Sequence, residues 1–287
     1  MWKKSAAAGR DRRPPKTPAF WGSRYVGIGR PRPRAGGHGG LFPQADRMRD
    51  MVSWSLPRTC RAELMDDPAL PEADHLQALD ALATINAVSR TAAAMAAEIA
   101  VIAPRGPLEV ADLACGGGDV TVAVARQLRR RGIEARVVGY DLSPRAVLRA
   151  REASHGEPAV SFSTRDLAAE GCPPCDVAIS SLFFHHLDDA AVTSLLASVA
   201  RTARAGLVAS DLLRSRGGLL LAWLGTHLLA RSSVARVDGP RSVHAARTLP
   251  EYRQLCRDAG LHAATVRPVW PARAIIRWTC RPGEGER

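Results

Sequence analysis

Val110-Ala-Asp-Leu-Ala-Cys-Gly-Gly-Gly-Asp-Val-Thr121 decides the fold of this 287-residue chain. An apolar run ends at Asp112, and three glycines, Gly116 to Gly118, then open a stretch of helical character. Strand, tight turn and helix start is the arrangement with which an α/β sheet holds a nucleotide-like ligand. Twenty-three residues past Gly118, a second apolar run from Ala135 to Tyr140 ends in Asp141. A carboxylate there can accept hydrogen bonds from both hydroxyls of a ribose.

The ligand class follows from charge. A dinucleotide fingerprint, Gly-x-Gly-x-x-Gly, lets the backbone crowd a pyrophosphate. Its third glycine is replaced by Thr121 here, and Asp112 and Asp119 bracket the loop. Two carboxylates repel a pyrophosphate and suit a ligand that carries an ammonium and a sulfonium. A nicotinamide dehydrogenase is disfavoured on the same ground. The segment resembles motif I of the class I S-adenosylmethionine (SAM)-dependent methyltransferases, Asp-x-Gly-x-Gly-x-Gly, with Ala114 at the first glycine.

Outward from this motif, strands and helices alternate. Strands are expected near 108–113, 135–140, 159–164, 176–181 and 206–210. Helices are expected at about 119–131, 144–155 and 189–204. Ser143 with Pro144 reads as an N-cap and first helical position. Thr248 and Glu251 read as a capping box for a helix that stops at Gly260. Two last strands, near 262–269 and 273–280, read as a hairpin. Apolar residues from Leu76 to Ile102 recur every three or four positions and predict one continuous helix over 74–102. Asn86 and Arg90 would share one face of it. The expected fold is therefore a Rossmann-like, doubly wound α/β sheet of mostly parallel strands under an N-terminal helical cap. The resemblance adds an antiparallel seventh strand from the closing hairpin.

Composition sets the outer bounds. Net charge is +12, yet residues 1–50 hold twelve of the forty Lys/Arg against three acids. That segment is rich in Pro and Gly, lacks a hydrophobic period, and is expected to be a disordered basic extension. Residues 51–104 form the helical cap and 105–287 the SAM-binding domain in this reading. No apolar run reaches the length of a membrane span, and six cysteines suit a reducing, cytoplasmic location. Cys172 and Cys175 lack a second pair or nearby histidines, so no metal site is expected. The twelve residues Leu219–Ala230 are too short for a bilayer and read equally as a pocket cover or a plain core helix.

In an open α/β sheet the ligand sits beyond the carboxyl ends of the strands. Asp112, Asp141, Asp166 and Asp211 all fall at such ends. The resemblance implies roles for matching positions. The backbone from Ala114 and Cys115 through Gly116 to Gly118 would approach the methionine part, and Asp112 its amino group. Asp141, with Leu142, would bind the ribose. Asp166 and Leu167 would address the adenine. Ser181 and Leu182 would line the methyl-transfer region. His185 and His186 are candidate bases, with His244 a weaker one, because a histidine is suited to take a phenol's proton.

Ala209-Ser-Asp-Leu-Leu-Arg-Ser215, Phe183-Phe-His-His-Leu187 and Glu63-Leu-Met-Asp-Asp-Pro68 narrow the resemblance. It points to small-molecule methyltransferases of the ubiquinone/menaquinone-biosynthesis type and bacterial relatives associated with polyketides or quinones. That implies SAM-dependent O- or C-methylation of a lipophilic, phenolic or quinol-type acceptor. A nucleic-acid methyltransferase is the alternative suggested by the basic extension. Ser180-Ser-Leu-Phe183 lacks the Asp/Asn-Pro-Pro-Tyr/Phe of amino-methylating enzymes, and the remainder of the chain is nearly neutral, which disfavours nucleic acid. A SAM-fold binding protein without catalysis is the second alternative.

Overall fold

The computed structural model describes residues 56–67 and 69–280; the basic extension at 1–50 lies outside them. Seven strands form one sheet in the order β3-β2-β1-β4-β5-β7-β6. They are β1 Leu108–Leu113, β2 Ala135–Asp141, β3 Val160–Thr164, β4 Cys175–Ser181, β5 Ala203–Leu212, β6 Thr265–Val269 and β7 Arg273–Thr279. The first five pair in parallel, and β7 is antiparallel to both β5 and β6. The strand order reverses between β1 and β4, and a crevice opens there at the carboxyl ends.

Alternation along each strand builds two hydrophobic layers. Val110, Val177, Ile179 and Val208 face one layer with Met95, Ile99, Val124 and Leu128. Ala111, Ala178, Leu207 and Ala209 face the other with Leu195, Leu196, Tyr252 and Leu255. The helices that supply these layers are α2 Thr91–Ile102, α3 Asp119–Arg130, α6 Asp189–Thr202 and α9 Leu249–Asp258. The others are α1 Glu72–Val88, α4 Pro144–Ala153, the short α5 Leu167–Glu170, α7 Arg216–Leu228 and α8 Ser233–Ala245.

The local signals hold. Ser143 caps α4 by accepting the Ala146 amide, with Pro144 in the first turn. Thr248 and Glu251 form the capping box of α9.

Three expectations need correction. The 74–102 helix is two helices, α1 and α2, bent by 61°. Ser89 Oγ takes the Ile85 carbonyl at 2.6 Å, and Arg90 adopts a left-handed conformation at φ 53°. The apolar period survives because each helix turns its own face inward. Asn86 is buried, whereas Arg90 is exposed, so the two do not act together. Strand β5 begins three residues earlier than expected, where α6 ends. Strand β6 begins only at Thr265.

Helix α8 was not foreseen, and Asp238-Gly-Pro240 carries the local signals of a turn. Pro240 sits inside the helix. Asp238 is spent on tertiary contacts, accepting the Leu64 and Met65 amides at 2.8 and 3.0 Å. Helices α1, α7 and α8 pack on one another with the 3-10 turn Leu64–Asp66. The cap over the crevice is therefore built from both ends of the chain, while α2 packs on the sheet itself.

Candidate active site

The glycine loop turns between β1 and α3. Ala114, Gly116 and Gly118 all have positive φ, at 62°, 53° and 77°. Ala114 thus occupies a left-handed position that favours glycine. A Cβ on Gly118 would lie 2.6 Å from Phe162 Cζ, so this glycine serves the packing of β3 against the loop.

The acids converge on that loop. Asp141 accepts the Gly116 amide through Oδ2 and the Ser143 amide through Oδ1, both at 2.9 Å. Asp112 is buried and accepts the Thr121 hydroxyl at 2.6 Å through Oδ2. Burial pushes the Asp112 carboxyl up to about 7; the Thr121 bond opposes this, and Asp119 and Asp141 add to it. Asp119 accepts from Asn86 at 3.0 Å, and Arg273 donates to the same Asn86 at 3.1 Å.

These residues line a cavity of about 150 Å³ that includes Asp112, Ala114, Cys115, Gly116, Asp141 and Ser181. Two buried polar atoms in its wall, Asp112 Oδ1 and Ser181 Oγ, have no hydrogen-bond partner among the described residues. Oxygen atoms without partners beside exposed backbone of a glycine loop fit a ligand that brings an amine and hydroxyls. The donor set therefore fits SAM.

Not every candidate is brought here. Asp166 caps α5, its Oδ1 accepting the Ala168 and Ala169 amides at 3.0 and 3.2 Å. Leu167 is buried in the hydrophobic layer under α6. Neither lines the cavity, and Leu142 and Gly118 also lie outside its wall.

A second cavity of about 340 Å³ lies against the first and is lined mainly by apolar side chains of α1, α7 and α8. Leu221, Leu224 and Leu228 of α7 face it, so the Leu219–Ala230 segment is a pocket wall. Both cavities share Met65, Leu82, Leu182 and His186. Leu182 carries a positive φ of 55°, directly after β4.

The polar end of the larger cavity is Glu63, His185 and His186. His185 Nδ1 lies 2.6 Å from Asp211 Oδ1, and the His185 amide donates to Asp211 Oδ2 at 3.0 Å. Burial alone would raise Asp211, but the His185 ring and its hydrogen bond hold it below the usual range. His186 Nδ1 lies 3.3 Å from Asp66. Burial would lower His186, yet the Glu63 and Asp66 charges push it up to about 10. His186 therefore holds its proton at neutral pH and has no free ring nitrogen there to accept another. His244 lines neither cavity.

Sequence reading missed Glu63, Asp66 and Asp238, since each works through partners more than a hundred residues away. The ligating atoms of Glu63, His185 and His186 all lie within 4.8 Å of one another and could hold a metal ion.

The β3-β2-β1-β4-β5-β7-β6 sheet with this loop is a Rossmann-like fold of the kind that solved methyltransferases have. Residues 110–206 match the family model described as a methyltransferase domain. Trans-aconitate 2-methyltransferase of Streptomyces coelicolor is 40% identical over 83 residues, 27% of this chain and 26% of that protein. The chain thus aligns with about a quarter of that relative's length. Human N-acetylserotonin methyltransferase in complex with SAM superposes with a TM-score of 0.54 at 20% identity, over 73% of this chain and 56% of that one. The plantazolicin methyltransferase BpumL, in complex with a monoazolic desmethylPZN analog and SAH, superposes with a TM-score of 0.52 at 13% identity, over 73% and 88%. The structural likenesses show the fold, and together with the family match they support SAM as the cofactor.

Proposed function

We propose that the chain transfers the methyl group of SAM to a small, lipophilic, hydroxylated aromatic acceptor of the phenolic or quinol type. The observation that carries this reading is the junction of the two cavities at Leu182 and His186. A charged site meets an apolar one there, at a single seam. SAM, when bound, supplies an electrophilic methyl on a sulfonium whose departure leaves a neutral thioether.

The chain's own residues do the rest. Asp141 holds the ribose hydroxyls, Asp112 the amino group, and the Ala114–Gly117 backbone the methionine part. Ser181 and Leu182 border the place where donor and acceptor meet. The apolar walls orient the acceptor and exclude water, which is most of what an in-line displacement needs. Ionising the acceptor's hydroxyl makes its oxygen, or the adjacent ring carbon, nucleophilic. Loss of that proton falls to the Glu63–His185–His186 end of the cavity. A cavity walled by leucine, isoleucine and valine does not favour the nucleic-acid alternative. The quinone- or polyketide-related acceptor implied by the resemblance is consistent with those walls.

Calorimetric titration with S-adenosylhomocysteine (SAH), beside Asp141→Ala, tests the cofactor half. Binding that the substitution abolishes is expected. Failure of well-folded wild-type protein to bind SAH overturns the reading. Mass spectrometry of phenols and quinols incubated with labelled SAM then tests the acceptor half. Binding without any methyl transfer would favour the non-catalytic alternative.

A further inference from the structure

We propose that Glu63, His185 and His186 form a site for a divalent first-row transition-metal ion at the polar end of the larger cavity. We propose further that the acceptor binds this ion through two neighbouring oxygen atoms. The second statement rests on the methyl-transfer reading; the first does not.

Distance carries the argument. His185 Nε2 stands 3.7 Å from Glu63 Oε1, and His186 Nε2 stands 4.0 Å from Glu63 Oε2. Both exceed hydrogen-bond length, so hydrogen bonding does not close this arrangement. Ligands held at about 2.0–2.2 Å in tetrahedral geometry stand about 3.4 Å from one another. All three lie within 4.8 Å of one another, so shifts on the order of an ångström bring them onto one ion.

The surroundings supply the outer layer that metal-bound histidines have. Each imidazole has its Nδ1 beside a carboxylate, Asp211 at 2.6 Å and Asp66 at 3.3 Å. Such bonds fix the ring, and an ion that displaces the Nε2 proton finds the lone pair aimed at it. The Ser242 hydroxyl donates to Glu63 Oε1 and orients the third ligand. Glu63 and His185 are only 8% and 4% exposed. Three carboxylates gathered around two imidazoles, out of bulk water, are a setting for a cation. Two nitrogens and one oxygen suit zinc, cobalt or iron better than magnesium or calcium, and leave coordination positions open.

Those positions face the acceptor cavity. An ion there lowers the pKa of a bound hydroxyl, whose proton passes to water. The oxygen's electron pair is then available to the methyl carbon. Two open positions select an acceptor with adjacent oxygens, such as a catechol, a hydroxyquinone or an enolised 1,3-diketone.

The test is Co(II) titration of chelator-treated full-length protein, followed by calorimetry and visible absorption. One ion per chain is expected, with d–d bands that shift when catechol, but not phenol, is added. Glu63→Gln and His185→Gln, each checked for folding by thermal melt, should weaken Co(II) binding about 100-fold and leave SAH binding intact. No Co(II) binding by protein that binds SAH overturns the metal site. Equal methyl transfer before and after chelation, with the metal content shown to be nil, overturns it as well. Bands that respond equally to catechol and phenol overturn the chelating acceptor. Loss of SAH binding in the wild type would instead strike the methyl-transfer reading and leave the Co(II) result to stand alone.

Discussion

Thr121 Oγ1 donates a 2.6 Å hydrogen bond to Asp112 Oδ2, so the residue that breaks the dinucleotide glycine pattern orients the acid at the end of β1. The other Asp112 oxygen faces the cofactor cavity without a partner among the described residues. Thr121→Val removes the one bond to a buried carboxylate, a loss of about 1–3 kcal/mol. Calorimetry should show SAH affinity falling about tenfold or more, with a lower melting temperature; Thr121→Ser should keep both. Unchanged affinity in the valine variant would remove Asp112 from the cofactor site.

Asp112 also sets a pH dependence. Its folded pKa is raised to about 7 by burial, whereas an unfolded aspartate titrates near about 4. Between those values the native state holds a proton that the unfolded state lacks, so this carboxyl makes stability fall as pH rises through the window. The ionised form is the one that meets an ammonium. SAH affinity should therefore drop as pH falls below about 7, approaching about tenfold per unit. Proton release on binding, read from titrations in buffers of different ionisation heat, checks this. Asp112→Asn should bind weakly and without the slope.

Gly139 on β2 leaves room for an aromatic ring. A Cβ there would stand 2.5 Å from Phe162 Cδ1 and 2.9 Å from Cys115 Sγ. Gly139→Ala should cost about 1–3 kcal/mol in urea unfolding. Phe162→Leu added to it should recover part of that loss, and two additive penalties would contradict the contact.

Arg247 holds the histidine turn. It is buried and donates to the Phe184 and Leu187 carbonyls at 2.6 and 2.8 Å, and to Asp189. Arg247→Met takes one donor from each of the two carbonyls on either side of His185 and His186, leaving the Leu187 amide and Arg58 as their remaining donors, which should cost about 1–3 kcal/mol. Methyl transfer should fall with SAH affinity retained, because the cofactor loop does not touch this residue. A variant with wild-type turnover would show that the turn holds itself.

How far the sequence could be read depended on the reach of each interaction. The glycine loop, Asp141, the Ser143 cap and the Thr248–Glu251 box involve residues close in sequence or tied to strand ends, and all are present as expected. The break at Arg90 was hidden because the apolar period runs through it. Asp166 lies outside the cavity wall, because a strand-end aspartate reads the same whether it meets a ligand or caps a four-residue helix. Helix α8 was hidden because Asp238-Gly-Pro240 carries the local signals of a turn, and only packing against α1 and α7 keeps it helical.

The sequence by itself determined the sheet, its crevice and the chemistry of the cofactor loop. Hydrophobic periodicity, glycine conformation and caps are local, and they suffice to order parallel strands and place acids at their ends. Tertiary structure alone decided the polar end of the larger cavity. Glu63, His185, Asp211 and Ser242 come from four separate segments, and no period or spacing relates them. They meet because α1, α7 and α8 bury apolar faces over one edge of the sheet, and that burial carries their polar groups to a single point.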